Sequence, residues 1–189
     1  MASVAIFHSR YGLRPAVVRA AERLRSIGHT VVAPDLYGQP ATDSADEGAA
    51  LADKVGWNEI VDRGRAALRE MPPRTVLAGF SMGTGVVDAL LPERPHTAGL
   101  LLLAGAPITA SRIRPGLRAQ LHVADPDPEY VPPTAVAHWT DGMTTADAIF
   151  EVYRYPDVGH LWMDDGLPDH DRFAAELVWE RCDEFLRFS

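Results

Sequence analysis

Gly79-Phe80-Ser81-Met82-Gly83-Thr84-Gly85 follows directly on the apolar run 75–78 and contains the pattern Gly-x-Ser-x-Gly. The residues before this motif are typical of a buried strand, and residues 86–91 are typical of a helix. A serine on a sharp turn between a strand and a helix forms a nucleophile elbow, in which the turn lifts the hydroxyl clear of the sheet. Glycines on either side leave the room that such a turn needs. We therefore predict that Ser81 is a nucleophile.

Strand-like and helix-like segments alternate along the rest of the chain. The predicted strands are 4–8, 30–33, 75–80, 98–104, 118–124 and 149–155. Residues 15–27 carry apolar side chains at helical spacing, with Pro15 in the first turn and Gly28 after the last. The run Leu100-Leu101-Leu102-Leu103 has no alternation, which is typical of a central parallel strand covered on both faces. These patterns predict an α/β fold with a doubly wound, mostly parallel sheet of about six strands flanked by helices.

Two connections are longer than the others. Residues 37–53 are rich in Gly, Pro, Asp, Ser and Ala, and we interpret them as a loop that leads into a helix over about 57–71. Residues 105–116 form the second connection, which is too short to make a separate lid domain.

Composition restricts the class of function. The chain has 189 residues, 47% of them hydrophobic, and a formal net charge of −8. We expect one domain over 1–189, monomeric or homodimeric, with neither a nucleic-acid nor a membrane partner, because no concentrated basic face or spanning apolar run is present. The single cysteine, Cys182, falls on an apolar helical stripe, so we expect it to pack in the core. The N-terminus resembles a first strand and not an export signal, which favours a cytoplasmic protein.

A serine nucleophile needs a base, and the base needs an acid that orients it. In open-sheet hydrolases these groups come in the order serine, acid, histidine, each after a strand. The stretch Asp125-Pro126-Asp127-Pro128-Glu129 follows one predicted strand, and His160 follows the last. We predict that His160 is the base, with His8 as the second choice.

The sheet also predicts where the oxyanion would be held. Ligands of open α/β sheets collect at the carboxyl ends of the strands, where strand order reverses. If the first strand lies beside the third, the backbone N–H groups of Met82 and of Arg10, or alternatively Ser9, converge on one carbonyl oxygen. We expect them to form an oxyanion hole.

Neither a metal nor a cofactor is expected. The acidic stretch 164–171 is interpreted as a solvated loop in which Asp169 or Asp171 caps a following helix. The chain has no dinucleotide-binding glycine pattern and no phosphate loop.

Taken together, these stretches resemble the dienelactone hydrolase family of α/β-hydrolases. Pro34-Asp35-Leu36-Tyr37 is similar to a loop of that family, residues 79–83 to its elbow, and residues 155–160 to its histidine turn. The tail 173–181 is similar to its final helix. The family's own elbow carries cysteine, so the resemblance implies a serine variant.

The resemblance implies a compact α/β-hydrolase fold and the roles of three residues: Ser81 as nucleophile, His160 as base and Asp127 as acid, with Asp125 as the alternative acid. The implied activity is hydrolysis of a small carboxylic ester, lactone or thioester through an acyl-serine. The alternative is a hydrolase-like protein that binds a small ligand without turning it over. The candidates for substrate contact are Ser9, Tyr11, Tyr37 and Trp162, with Tyr130 and Trp139 as further pocket walls and Arg10, Arg112 or Arg114 as anchors for a carboxylate.

Overall fold

Six parallel strands form one sheet in a computed structural model that describes residues 1–107 and 113–188. The strands are β1 (Ser3–Phe7), β2 (Thr30–Val32), β3 (Val76–Phe80), β4 (Gly99–Leu103), β5 (Arg118–Asp125) and β6 (Ile149–Pro156). Their order across the sheet is β2-β1-β3-β4-β5-β6, and every neighbouring pair is parallel. The first and third strands are neighbours, since Ala5 pairs with Leu77, so the condition on which the expected oxyanion hole depends is met.

Helices cover both faces of this sheet. They are α1 (Pro15–Ser26), α2 (Ala45–Val55), α3 (Trp57–Ala67), α4 (Met82–Leu90), α5 (Pro133–Thr145) and α6 (Arg172–Arg187). Leu101 and Leu103 of β4 belong to one hydrophobic core, whereas Leu100 and Leu102 belong to the other. A strand that is buried on both faces has no reason to alternate apolar with polar residues, which explains the uninterrupted leucines.

The doubly wound α/β prediction is therefore confirmed. Cys182 is fully buried in the core that includes α6, as expected. Asp171 caps α6, since its side chain accepts a hydrogen bond from the backbone N–H of Ala174. No helix in the described part of the chain is both long and apolar enough to cross a bilayer.

The predicted loop 37–53 is wrong in its second half, because α2 begins at Ala45. Ser44 caps this helix by accepting a hydrogen bond from the backbone N–H of Glu47. The helix is rich in alanine, and Gly48 is its only buried residue, while Leu51, Ala52 and Val55 pack partly buried against the core. The next helix, α3, ends at Ala67, about one turn before the predicted Met71.

Candidate active site

Ser81 occupies the sharp turn between β3 and α4. Its backbone has φ 48° and ψ −110°, in a region that non-glycine residues seldom adopt. The turn is held by hydrogen bonds from the Ser81 N–H to the Leu103 carbonyl (2.7 Å) and from the Thr84 N–H to the Ser81 carbonyl (2.9 Å). A Cβ on Gly83 would lie 2.2 Å from the carbonyl oxygen of Phe7, so only glycine permits α4 to begin this close to β1.

Ser81, His160 and Asp127 form a continuous chain of hydrogen bonds. The Ser81 Oγ atom lies 2.8 Å from His160 Nε2, and His160 Nδ1 lies 2.6 Å from Asp127 Oδ2. A carboxylate can only accept, so Nδ1 carries the ring proton and Nε2 is left to accept the serine O–H. The side chains of His160 and Asp127 are 10% and 6% exposed, which protects both bonds from competing water.

The two candidate acids after β5 lie in different surroundings. Asp127 is buried, and its Oδ1 atom also accepts a hydrogen bond from the Tyr130 N–H at 3.3 Å. Asp125 is exposed, and its nearest described charge partner is Arg154, at 3.9 Å. The geometry thus favours Asp127 over Asp125 as the partner of His160.

The turn that carries His160 is held in place by the two residues that follow it, Leu161 and Trp162. The backbone N–H of Leu161 donates to Asp169 Oδ2 at 3.1 Å. Trp162 is 0% exposed and packs against Tyr155, with ring centroids 4.8 Å apart. Trp162, for which substrate contact was expected, instead has its ring in the core, where it anchors the turn. Trp139, also expected as a pocket wall, is likewise buried, edge-on to Phe150.

An aromatic ring covers the imidazole of His160. Tyr130 stacks on it with ring centroids 4.2 Å apart and an interplanar angle of 28°. The guanidinium of Arg10 lies over the same tyrosine ring, 5.4 Å from its centroid. Tyr130 is 38% exposed, so it is placed at the mouth of the site, as expected of a pocket wall.

The loop after β1 follows the strand on one side of β3, whereas His160 and Asp127 follow strands on the other side. Ser9 is buried, and its Oγ atom accepts the Tyr11 N–H. Tyr37 is also buried; its hydroxyl donates to the Arg10 carbonyl at 2.9 Å and lies 3.3 Å from Met82 Sδ. Burial raises the pKa of Tyr37 to about 12, so this hydroxyl remains a donor at neutral pH. Ser9 and Tyr37 were expected to contact substrate, but both are buried and stabilise the loop from its inner side. Tyr11, the third residue of this expectation, is partly exposed.

Comparison of the sequence with models of known protein families identifies the family to which the chain belongs. A model of the dienelactone hydrolase family matches residues 1–188. The chain belongs to the dienelactone hydrolase family. No curated protein sequence matches it.

Solved structures share the fold of this family member at low sequence identity. A dienelactone hydrolase-like promiscuous phosphotriesterase from metagenomic libraries is 18% identical with a TM-score of 0.77, over 100% of this chain and 87% of that one. A candidate dienelactone hydrolase from Klebsiella pneumoniae subsp. pneumoniae has the same identity and TM-score, over 99% and 87%. Thermogutta terrifontis esterase 2, solved phosphorylated by paraoxon, is 19% identical with a TM-score of 0.66, over 98% and 81%. Membership of the family and these neighbours support a hydrolase.

His8, the second choice for the base, has a different role in this hydrolase. It is fully buried; Nδ1 lies 2.7 Å from the Ser9 carbonyl, and Nε2 accepts the Leu36 N–H at 3.0 Å. Both ring nitrogens are thus engaged with backbone, and burial lowers the pKa of the imidazole. His8 ties β1 to the loop after β2 and has no free lone pair for a substrate.

The remaining expected contacts lie elsewhere. Arg114 donates to the Thr97 carbonyl at 3.0 Å, before the start of β4 and so at the amino edge of the sheet. It is therefore no anchor for a substrate carboxylate, and Arg112 lies outside the described residues. Asp164 in the acidic stretch pairs with Arg14 at 2.5 Å. Within residues 1–107 and 113–188, no cluster of His, Cys, Asp or Glu has the arrangement of a metal site.

A cavity of about 560 Å³ lies next to Met82, the residue that follows Ser81 in the chain. Arg10 and Met82 line its inner end, and residues of α2 and α3 line the rest. The sequence analysis predicted a helix that covers α3 but missed the α2 wall, because it placed no helix at residues 45–55. The capping pattern Ser44-x-x-Glu47 was the one signal that marks the start of α2.

Proposed function

We propose that this member of the dienelactone hydrolase family cleaves carboxylic esters, lactones or thioesters through an acyl-Ser81 intermediate. The observation that carries the proposal is the hydrogen-bonded chain from Ser81 Oγ through His160 to Asp127. A serine hydroxyl becomes nucleophilic only when a neighbouring base takes its proton, and the Nε2 atom of His160 is within reach.

In the proposed reaction, His160 Nε2 removes the proton as Ser81 Oγ attacks the carbonyl carbon. The imidazolium then donates this proton to the leaving oxygen or sulfur as its bond to the acyl carbon breaks. Water enters, loses a proton to His160 and attacks the acyl-serine, which releases the carboxylic acid and restores the hydroxyl. Asp127 keeps the Nδ1 proton in place and stabilises the transient imidazolium.

The backbone N–H groups of Met82 and Arg10, with Ser9 as the alternative, are proposed to hold the oxyanion. Met82 is the first residue of α4, and N–H groups in a first turn have no intrahelical partner. The Tyr37 hydroxyl contacts the carbonyl of Arg10 and the side-chain sulfur of Met82, so the two residues lie on either side of it. One such donor is typically worth about 3 kcal/mol in the transition state.

Labelling with a fluorophosphonate probe tests the proposal. The phosphorus replaces the acyl carbon as electrophile, and fluoride leaves as Ser81 Oγ attacks. The esterase neighbour that paraoxon phosphorylates supports this choice of probe. We expect one label per chain on Ser81 by peptide mass spectrometry, none in Ser81→Ala, and labelling slowed by about 10³-fold or more in His160→Ala.

The rival function is binding of a small ligand without turnover. It requires that the wild-type chain remain unlabelled and fail to release nitrophenol from p-nitrophenyl esters. A label that persists in Ser81→Ala would also reject the proposed nucleophile.

A further inference from the structure

The cavity beside Met82 is apolar over most of its wall. Its volume, about 560 Å³, is in the range of pockets that enclose small organic ligands. The apolar lining residues are Ala49, Ala52, Trp57, Ile60 and Met82. Two charged residues, Arg10 and Asp53, also line it, and their opposite signs give the wall no net preference for an ion.

The cavity adjoins the residue that follows Ser81, because Met82 forms part of its wall. Met82 follows Ser81 in the chain, and Met82 and Arg10 are the proposed oxyanion donors. Trp57 closes the far side against α4: a Cβ added to Gly85 would lie 3.1 Å from its Cη2 atom. A substrate carbonyl held at Ser81 therefore has this space next to it.

Helix α2 is held firmly against the loop after β1. A Cβ on Gly48 would lie 2.7 Å from the carbonyl oxygen of Arg10, so the helix and that loop touch through backbone atoms. Ala49 and Ala52, three residues apart, share one face of α2 and line the cavity, whereas Ala50 lines a separate cavity of about 700 Å³. Small side chains on the first face keep the space beside Met82 open.

The direction from which His160 approaches decides which part of an ester enters this cavity. His160 and Asp127 follow β6 and β5, whereas the cavity is built on the other side of β3, around β1 and the helices after β2. The leaving oxygen must face His160 Nε2 to receive its proton, and the carbonyl oxygen must face the N–H donors. The acyl substituent is then the group directed away from His160.

We infer that the cavity between α2, α3 and Met82 binds the acyl chain of the substrate, and that this chain is uncharged, apolar and longer than acetyl. The size of Ala49 and Ala52 sets the limit on its length. This inference rests on the proposed ester hydrolysis and adds to it the substrate class and the residues that select it.

The test is a series of p-nitrophenyl esters from acetate to octanoate, in which only the acyl chain changes. For the wild type, kcat/KM should rise by about four-fold per added methylene until the cavity is filled. In Ala52→Leu the added side chain occupies the cavity, so the ratio of kcat/KM for hexanoate to kcat/KM for acetate should fall by about ten-fold or more.

Ala50→Leu is the matched control, since it makes the same change on the same helix but at the other cavity. Its acyl-length profile should follow the wild type. Ala49→Leu provides a second filling variant should Ala52→Leu fail to fold, and the rate of fluorophosphonate labelling reports whether the site of each variant is intact.

Three results would overturn the inference. One is an acyl-length profile that Ala52→Leu and Ala49→Leu leave unchanged although both proteins label normally. The second uses acetate esters of alcohols of increasing length. If Ala52→Leu and Ala49→Leu change how kcat/KM depends on the length of the alcohol and not of the acyl chain, the cavity binds the leaving group. A wild-type chain that neither labels nor hydrolyses any ester would reject the proposed function first, and the inference with it.

Discussion

The two sides of the candidate active site differ in the kind of residue that forms them: buried, hydrogen-bonded polar residues on one side and small or apolar residues on the other. On the β5–β6 side, His160 and Asp127 are almost fully buried and joined by a 2.6 Å hydrogen bond. On the β1–β2 side, alanines and the half-exposed Trp57 surround an open cavity. In the proposed reaction, directional bonds fix the atoms that move protons, whereas shape and apolar surface receive the substrate. Substitutions on the first side should therefore affect all substrates equally, and those on the second side should depend on the substrate.

The largest effect is expected for Asp127→Asn. The amide presents an N–H where the carboxylate accepts one, so the imidazole is driven into the wrong tautomer and kcat should fall by about 10³–10⁴-fold for every ester. Asp125→Asn is the control, because Asp125 is exposed and lies 3.9 Å from Arg154, and it should stay within about two-fold. Steady-state kinetics on a short and a long ester measure both. A large loss in Asp125→Asn alone would reverse the assignment of the acid.

Gly48→Ala tests the attachment of α2 to the loop after β1. Helix propensity alone predicts a gain of about 1 kcal/mol from this change. The added Cβ meets the Arg10 carbonyl, so we expect instead a loss of about 1–3 kcal/mol in the free energy of unfolding and a fall in kcat/KM of roughly 10- to 100-fold. Urea unfolding and ester kinetics measure the two effects.

Ala50→Gly calibrates that experiment on the same helix. Its exposed side chain has little packing to lose, so the variant should unfold with about 1 kcal/mol less free energy and keep its activity. If Gly48→Ala proves more stable than the wild type, the close approach of α2 to Arg10 is refuted.

A buried neutral histidine on each side should make stability depend on pH. Burial, and secondarily the charge of Arg181, lowers the pKa of His122 to about 3, and burial lowers that of His8. Below pH 6.5 the unfolded chain binds protons at these sites before the folded chain does, so the free energy of unfolding falls with falling pH. Between pH 6.5 and 4.5, His122 should contribute about 2 kcal/mol of this loss.

His122→Gln, compared with the wild type by urea unfolding at several pH values, isolates that contribution. The comparison concerns the slope with pH, because the variant also loses the 2.8 Å contact between His122 Nδ1 and the Tyr155 hydroxyl. An equal slope in both proteins would show that His122 does not supply it. His8→Gln makes the corresponding test on the β1 side.

The smallest effect is expected for the ring of Tyr130 over His160. In Tyr130→Ala the imidazole loses its stacking partner, and kcat should fall by about three- to ten-fold with little change in KM. Tyr130→Phe keeps the ring and should stay within about two-fold. A change in KM that grows with acyl length would instead place Tyr130 on the substrate-selecting side.

The strands and the elbow were predictable because their signals are local. Buried parallel strands are apolar throughout, and the glycines around Ser81 meet a steric need within a few residues. The position of His160 follows from chain order, since it comes after the last strand.

What the sequence left open depends on distant contacts. Helix α2 approaches the loop after β1 at Gly48, which has no side chain, and a backbone contact of this kind leaves no apolar residue in the sequence to mark it. Whether Trp162, Tyr37 or Ser9 faces solvent or core depends on neighbours far along the chain, and all three proved to be buried. The choice between Asp125 and Asp127 needed the position of the imidazole itself.

The separation of Ser81 from His160 by 79 positions bears on biosynthesis. A nascent polypeptide that has emerged only through β3 and α4 can form the elbow but has no group to activate it, and the contact must await pairing of β4, β5 and β6. Contacts between such remote positions are entropically costly and form late in folding. Under the proposed mechanism, the unfinished chain thus carries an inert alcohol, and Ser81 becomes a nucleophile only when the last strand joins the sheet.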